Sequence, residues 1–124
     1  MKRKYLLTGL IGLMLGVETL MAGNSQLAAL ATTHVKLSKK ILQTYSHKEN
    51  KSTMALLKKL ESGQKKLRHE VHNREISNLL QYLSLCVTDM KKVVAQPYSR
   101  KNSHIVSDLS ASLAEGSRYI ASSL

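Results

Sequence analysis

The chain has 124 residues, of which 43% are hydrophobic, with six Gly, one Pro, no Trp and no Phe. This length is that of a single domain, and the scarcity of Gly and Pro excludes an all-β fold with its many turns. The formal net charge of +11 predicts anionic partners, while the sustained apolar periodicity excludes a globally disordered chain.

Residues 1–22 have the order of a secretory signal peptide. Three basic residues at positions 2–4 precede the apolar run 5–17, and small residues follow at Ala22 and Gly23. The apolar run is shorter than the ~20 residues that cross a bilayer. We therefore predict a cleaved signal and a periplasmic or secreted protein, with an uncleaved N-terminal anchor as the alternative. Export also argues against nucleic acid as a partner.

The strongest helical pattern lies in residues 74–95. Its apolar positions follow the i, i+3, i+4, i+7 spacing of one helical face, at Ile76, Leu79, Leu80, Leu83, Cys86, Val87, Met90, Val93 and Val94. Asn73 is the predicted N-cap, and Pro97 cannot continue the helix. Because the stripe is wide, we expect more than one neighbouring helix to bury it. Cys86 has no partner for an internal disulfide and is predicted to be a core residue.

Three further amphipathic helices are predicted at about 25–45, 53–71 and 103–121. Their apolar faces follow Leu27, Leu30, His34, Leu37, Ile41 and Thr44; then Met54 or Leu57, Leu60, Gln64, Leu67 and Val71; then Ile105, Val106, Leu109, Leu113, Gly116, Tyr119 and Ile120. Ser52 or Thr53 is the predicted cap of the helix at 53–71, and Asn102 or Ser103 is the predicted cap of the helix at 103–121. Four such helices joined by short polar links predict an all-α, up-down-up-down four-helix bundle in residues 23–124.

Gly63 stands in the middle of the second predicted helix. A mid-helix glycine costs up to ~1 kcal/mol relative to alanine. The sequence therefore predicts either that the helix tolerates this cost or that a neighbouring helix packs closely at Gly63.

A cationic ridge is predicted beside the apolar face of the second helix. The ridge consists of Lys58, Lys59, Lys65, Lys66 and Arg68. Lys40 of the first helix is a further candidate for the same site. One interpretation is a solvated helix surface that serves solubility. The other is a ligand-binding ridge in which the cations complement an anionic partner.

Three histidines are candidates for binding a metal or haem. His69 and His72 lie one helical turn apart, but the zincin spacing H-E-x-x-H is absent, and two ligands do not complete a metal site. His34 interrupts the apolar face of the first helix, where we expect a core histidine that a neighbour satisfies by hydrogen bonding. Its alternative role is as a non-covalent haem ligand, since no C-x-x-C-H motif is present. We predict no cofactor.

Catalytic motifs are missing from the sequence. It contains no G-x-S-x-G nucleophile motif, no Gly-rich phosphate loop and no paired catalytic carboxylates. We therefore predict that the protein is not an enzyme.

The run from Ala31 to Ile41 resembles the opening helix of the N-terminal input domain of type IV pilus methyl-accepting chemotaxis transducers, which is related to the nitrate-sensor input domain. The matching positions are Ala31, Leu37, Ser38, Lys40 (for Arg) and Ile41. Residues 73–120 also resemble the second half of such domains. The resemblance implies a helical input module, but Val35 or Thr33 stands where the family has its anion-contacting arginine. Nitrate-type recognition is therefore not expected.

Together these patterns predict an exported, non-enzymatic, sensor-like bundle that binds a small, possibly anionic ligand or a periplasmic protein. Two alternatives remain open. One is a structural or adaptor bundle that self-associates into a homo-oligomer. The other is a haem or metal carrier that uses His34 or the pair His69 and His72.

Overall fold

A computed structural model describes the backbone of residues 16–124 and the side chains of residues 25–124. The chain forms four helices: α1 (Gly16–Ser46), α2 (Asn50–Glu70), α3 (Arg74–Val94) and α4 (Arg100–Ser123). Helix α1 packs against α2 and α4, and α3 packs against the same two helices, so the four form a closed cycle of antiparallel neighbours. The predicted all-α four-helix bundle is confirmed.

The core is built from the predicted apolar faces. Each helix contributes aliphatic side chains at helical spacing, among them Ile41 from α1, Leu60 from α2, Leu83 from α3 and Leu113 from α4. Cys86 is buried among them, as predicted, and burial raises the pKa of its thiol. This core fixes the outward faces of the helices, because each helix turns its remaining positions to solvent or to the grooves between neighbours.

The helix ends differ from the predicted ones at several positions. Asn73 caps α3 as predicted, and its side chain accepts a hydrogen bond of 3.0 Å from the Ile76 N–H. The predicted cap of α4 was wrong, because Ser99 accepts from the Asn102 N–H at 3.0 Å and the helix begins at Arg100. The predicted cap of α2 at Ser52 or Thr53 was also wrong, because the helix begins at Asn50. The Asn50 side-chain amide donates to the Val94 carbonyl at 3.0 Å and ties α2 to the end of α3.

The N-terminal predictions fall mostly outside the described residues. The predicted signal covers residues 1–22, whereas the described backbone begins at Gly16 and the described side chains at Ser25. Helix α1 starts before the predicted residue 25. Within the described part of the chain, no helix combines the length and the hydropathy that crossing a bilayer requires.

Candidate functional site

Two grooves run between α1 and α2 and carry three of the six predicted cations. The first has a volume of about 380 Å³ and is lined by Lys40, Thr44, Glu49, Ser52, Ala55, Leu56 and Lys59. The second has a volume of about 400 Å³ and is lined by Gln26, Leu27, Ala29, Leu30, Thr33, Lys66 and Glu70. We call this side of the bundle, with Lys40, Lys59 and Lys66, the basic face.

The first groove is the better of the two for an anion. Lys40 from α1 and Lys59 from α2 both border it, and both side chains are exposed. Two ammonium groups that approach one site from different helices can bind the same anion, and hydroxyls such as that of Ser52 can add donors. The Thr44 hydroxyl in this groove is already engaged, because it lies 2.8 Å from the Thr53 hydroxyl.

The other three predicted cations lie on the opposite flank of α2. Glu61 marks that flank, because its carboxylate lies 3.1 Å from Lys91 Nζ of α3. Lys58, Lys65 and Arg68 stand three residues before, four after and seven after Glu61, which places them on the same side of the helix. The predicted ridge is thus divided by the structure into one set beside α1 and another beside α3.

Between the two grooves, α1 and α2 approach each other at His34 and Gly63. A Cβ atom built on Gly63 would overlap His34 Nε2 and lie 3.0 Å from Cε1. The imidazole therefore rests directly against the Gly63 backbone, and a larger residue would displace it. Of the two alternatives that the sequence left open at Gly63, the structure shows the close approach of a neighbouring helix.

His34 itself departs from its prediction in one respect. It is buried, with 2% of its surface exposed, but no described atom forms a hydrogen bond with Nε2. The prediction that a neighbour satisfies this histidine was wrong for that nitrogen, which lies against Gly63, a residue with no side chain to supply a partner. Burial lowers the pKa of His34 from its ordinary 6.5 to about 4, so the ring is neutral at pH 7.

Gln64, the next residue on α2, is also buried, and within the described residues neither atom of its amide has a hydrogen-bond partner. The mid-level of the α1–α2 contact thus contains two buried polar side chains with free hydrogen-bonding capacity. Such groups are costly in a core, since each has lost water without replacing it.

The histidine candidates do not converge on a ligand site. Gly63 covers His34 Nε2, the nitrogen that a haem iron would need. His69 and His72 are exposed at the end of α2 and in the following turn. Over residues 25–124, no three His, Cys, Asp or Glu side chains are grouped so as to hold a metal ion.

A second surface of distinct chemistry lies on the far side of the bundle, between α3 and α4. Tyr82, Leu85 and Tyr119 are 52%, 58% and 45% exposed there. The prediction that Tyr119 lies on the buried face of α4 was therefore wrong. Its hydroxyl instead donates to Glu75 of α3 at 3.0 Å, which joins the two helices at the surface.

Charge is divided unevenly between the two halves of the bundle. Residues 25–70 contain ten Lys or Arg and three Asp or Glu, whereas residues 71–124 contain six and four. The positive field is therefore concentrated on the α1–α2 half.

Compared with protein-family models, with curated proteins and with solved structures, the chain matches none of them.

Proposed function

We propose that the protein is an exported, non-enzymatic binding module whose basic face recognises the anionic groups of a partner. The observation that carries this proposal is the first groove, where Lys40 and Lys59 border one depression from two helices. Anions with several carboxylate, phosphate or sulfate groups suit it, since each ammonium group can donate up to three hydrogen bonds. The resemblance to chemotaxis input domains stays a prediction, in which Lys40 occupies an arginine position.

The division of the six cations into two sets gives a matched test. One variant carries Lys40→Gln, Lys59→Gln and Lys66→Gln on the basic face. The control carries Lys58→Gln, Lys65→Gln and Arg68→Gln on the α3 flank. Each variant removes three positive charges from exposed positions, so the two have the same net charge and differ only in which face is altered.

With heparin as a sulfated probe at ~0.1 M salt, we expect the basic-face variant to bind about tenfold more weakly than the parent. The control should lose about threefold or less, because its charges attract the probe only at a distance. Titration calorimetry measures both. Equal losses in the two variants would contradict the assignment of binding to this face, and so would a parent that does not bind heparin.

Export is the second part of the proposal, and the mass of the isolated protein tests it. When a cell expresses the full chain, we expect residues 1–22 to be removed. The intact mass should then correspond to a protein that begins at Gly23. Retention of the whole segment in a membrane fraction would favour the anchor instead. A mass spectrum recorded under native conditions also tests the alternative of a haem or metal carrier, because a bound group adds its mass to the folded ion.

A further inference from the structure

The surface between α3 and α4 carries two rows of acidic and tyrosine side chains. All six are exposed, and we call them the acidic–tyrosine face: Glu75, Tyr82, Asp89, Asp108, Glu115 and Tyr119. On α3 the members are seven residues apart, which keeps them on one side of the helix. Every Asp and Glu of residues 71–124 belongs to this face.

The acidic–tyrosine face and the basic face lie on opposite sides of the bundle. Helices α1 and α2 are neighbours, α3 and α4 are neighbours, and the two pairs pack against each other. The α1–α2 side presents mainly lysines, whereas the α3–α4 side presents four carboxylates interspersed with cations. The exposed cations of α3 and α4 are Arg74, Lys92, Arg100, Lys101 and Arg118. On the basic side, the acidic residues that line the grooves are Glu49 and Glu70.

The charged rows also share a repeat. Lys59 and Lys66 are seven residues apart on α2, and Asp108 and Glu115 are seven residues apart on α4. At 1.5 Å per residue, each pair spans about 10.5 Å. Two helices that pack nearly parallel or antiparallel can therefore bring both lysines opposite both carboxylates at once.

The apolar surfaces of the two faces are complementary as well. Tyr82 and Leu85 project from the α3–α4 side, with more than half of their surface exposed. The grooves of the basic face have Leu56 and Ala55 in one and Leu27 and Leu30 in the other. Aromatic side chains that enter such grooves supply the buried area that charge pairs alone do not give.

We propose that the acidic–tyrosine face of one copy binds the basic face of a second copy. This inference rests on the proposed function, since it names the anionic partner of the same basic face. Because the two faces lie on opposite sides of the molecule, the contact is head-to-tail and does not close a dimer. The product is an open chain of subunits that lengthens as concentration rises.

Two charge-reversal variants test the contact. One carries Lys59→Glu and Lys66→Glu, and the other carries Asp108→Lys and Glu115→Lys. Sedimentation velocity in ~0.15 M salt, where the Debye length is about 8 Å, screens the long-range repulsion between net-positive copies. We expect the parent to grow beyond a dimer below ~1 mM, and each variant alone to associate at least about tenfold more weakly.

An equimolar mixture of the two variants is the decisive sample. The reversed basic face of one then meets the reversed acidic face of the other, and their unaltered faces also match, so association should return. The control variant Lys58→Glu with Lys65→Glu makes the same charge change on the α3 flank and should assemble like the parent. Far-UV circular dichroism confirms that each variant is helical.

Several results would overturn the inference: a parent that stays monomeric at ~1 mM, a closed dimer that grows no further, a mixture that fails to assemble, or a control that is as impaired as the basic-face variant. The proposed function fails separately. If heparin binding depends on Lys40, Lys59 and Lys66 while the parent remains monomeric, the basic face binds another anionic partner and the self-assembly inference alone is lost.

Discussion

Gly63→Ala should destabilise the bundle by about 1–3 kcal/mol, although alanine is the better helix former. The added methyl group would overlap His34 Nε2 and lie 3.3 Å from Cδ2, so the buried imidazole must move. The ring has little room to move, because His34 is 2% exposed and packed in the core. Urea unfolding, followed by circular dichroism, measures the difference in the free energy of unfolding.

The same substitution should reverse its sign when the imidazole is absent. In a His34→Ala background, Gly63→Ala no longer meets a ring, and the alanine should add up to ~1 kcal/mol through helix propensity. Ser62→Ala, at the exposed neighbouring position, is the control and should change stability by less than ~0.5 kcal/mol. Destabilisation by Gly63→Ala of equal size in both backgrounds would show that the imidazole is not the cause.

Stability should fall by about 2 kcal/mol between pH 7 and pH 5 because of His34. Burial places the pKa of the folded protein at about 4, whereas the unfolded chain titrates near 6.5. Between these values the unfolded state binds more protons, so the free energy of unfolding decreases as the pH falls. The contribution is fully present above pH 6.5 and is lost as the pH approaches 4.

The variant His34→Leu separates this effect from other titrations. An apolar side chain of similar size cannot take up the proton, so most of the decrease between pH 7 and pH 5 should disappear. His69→Gln removes an exposed histidine and should leave the decrease unchanged. Chemical unfolding at a series of pH values gives both profiles. If the parent and His34→Leu have parallel profiles, burial of His34 is not what makes the bundle acid-sensitive.

The sequence predicted two features of the α1–α2 contact only in part. The periodicity placed His34 and Gln64 on the inner faces of their helices, and both are buried. It did not show that Nε2 lacks a partner, because a hydrogen bond depends on which residue stands opposite. A mid-helix glycine lowers helix stability, and a close contact with a neighbouring helix at Gly63 was one of two explanations that the sequence offered. Which side chain makes that contact depends on how the two helices are aligned.

The positions of the surface residues were harder to predict from the sequence. Tyr119 continues the apolar spacing of α4, and it was therefore predicted on the buried face, although it is 45% exposed and bonded to Glu75. Tyrosine is a poor indicator of burial, because its ring favours the core while its hydroxyl favours water or a polar partner. The seven-residue spacing of Asp108 and Glu115 was visible in the sequence, but it becomes meaningful only once α3 and α4 are known to be neighbours.

What the sequence determined by itself is the four-helix architecture, most of the inner face of each helix and the cap at Asn73. These are local properties, set by a repeat of 3.6 residues and by the hydrogen bonds of a helix end. The tertiary structure decided which flank of α2 faces α1, and hence that Lys59 and Lys66 border grooves whereas Lys58 and Lys65 do not. Periodicity cannot decide this, because both flanks lie at similar angles from the buried stripe, and only the positions of the neighbouring helices distinguish them.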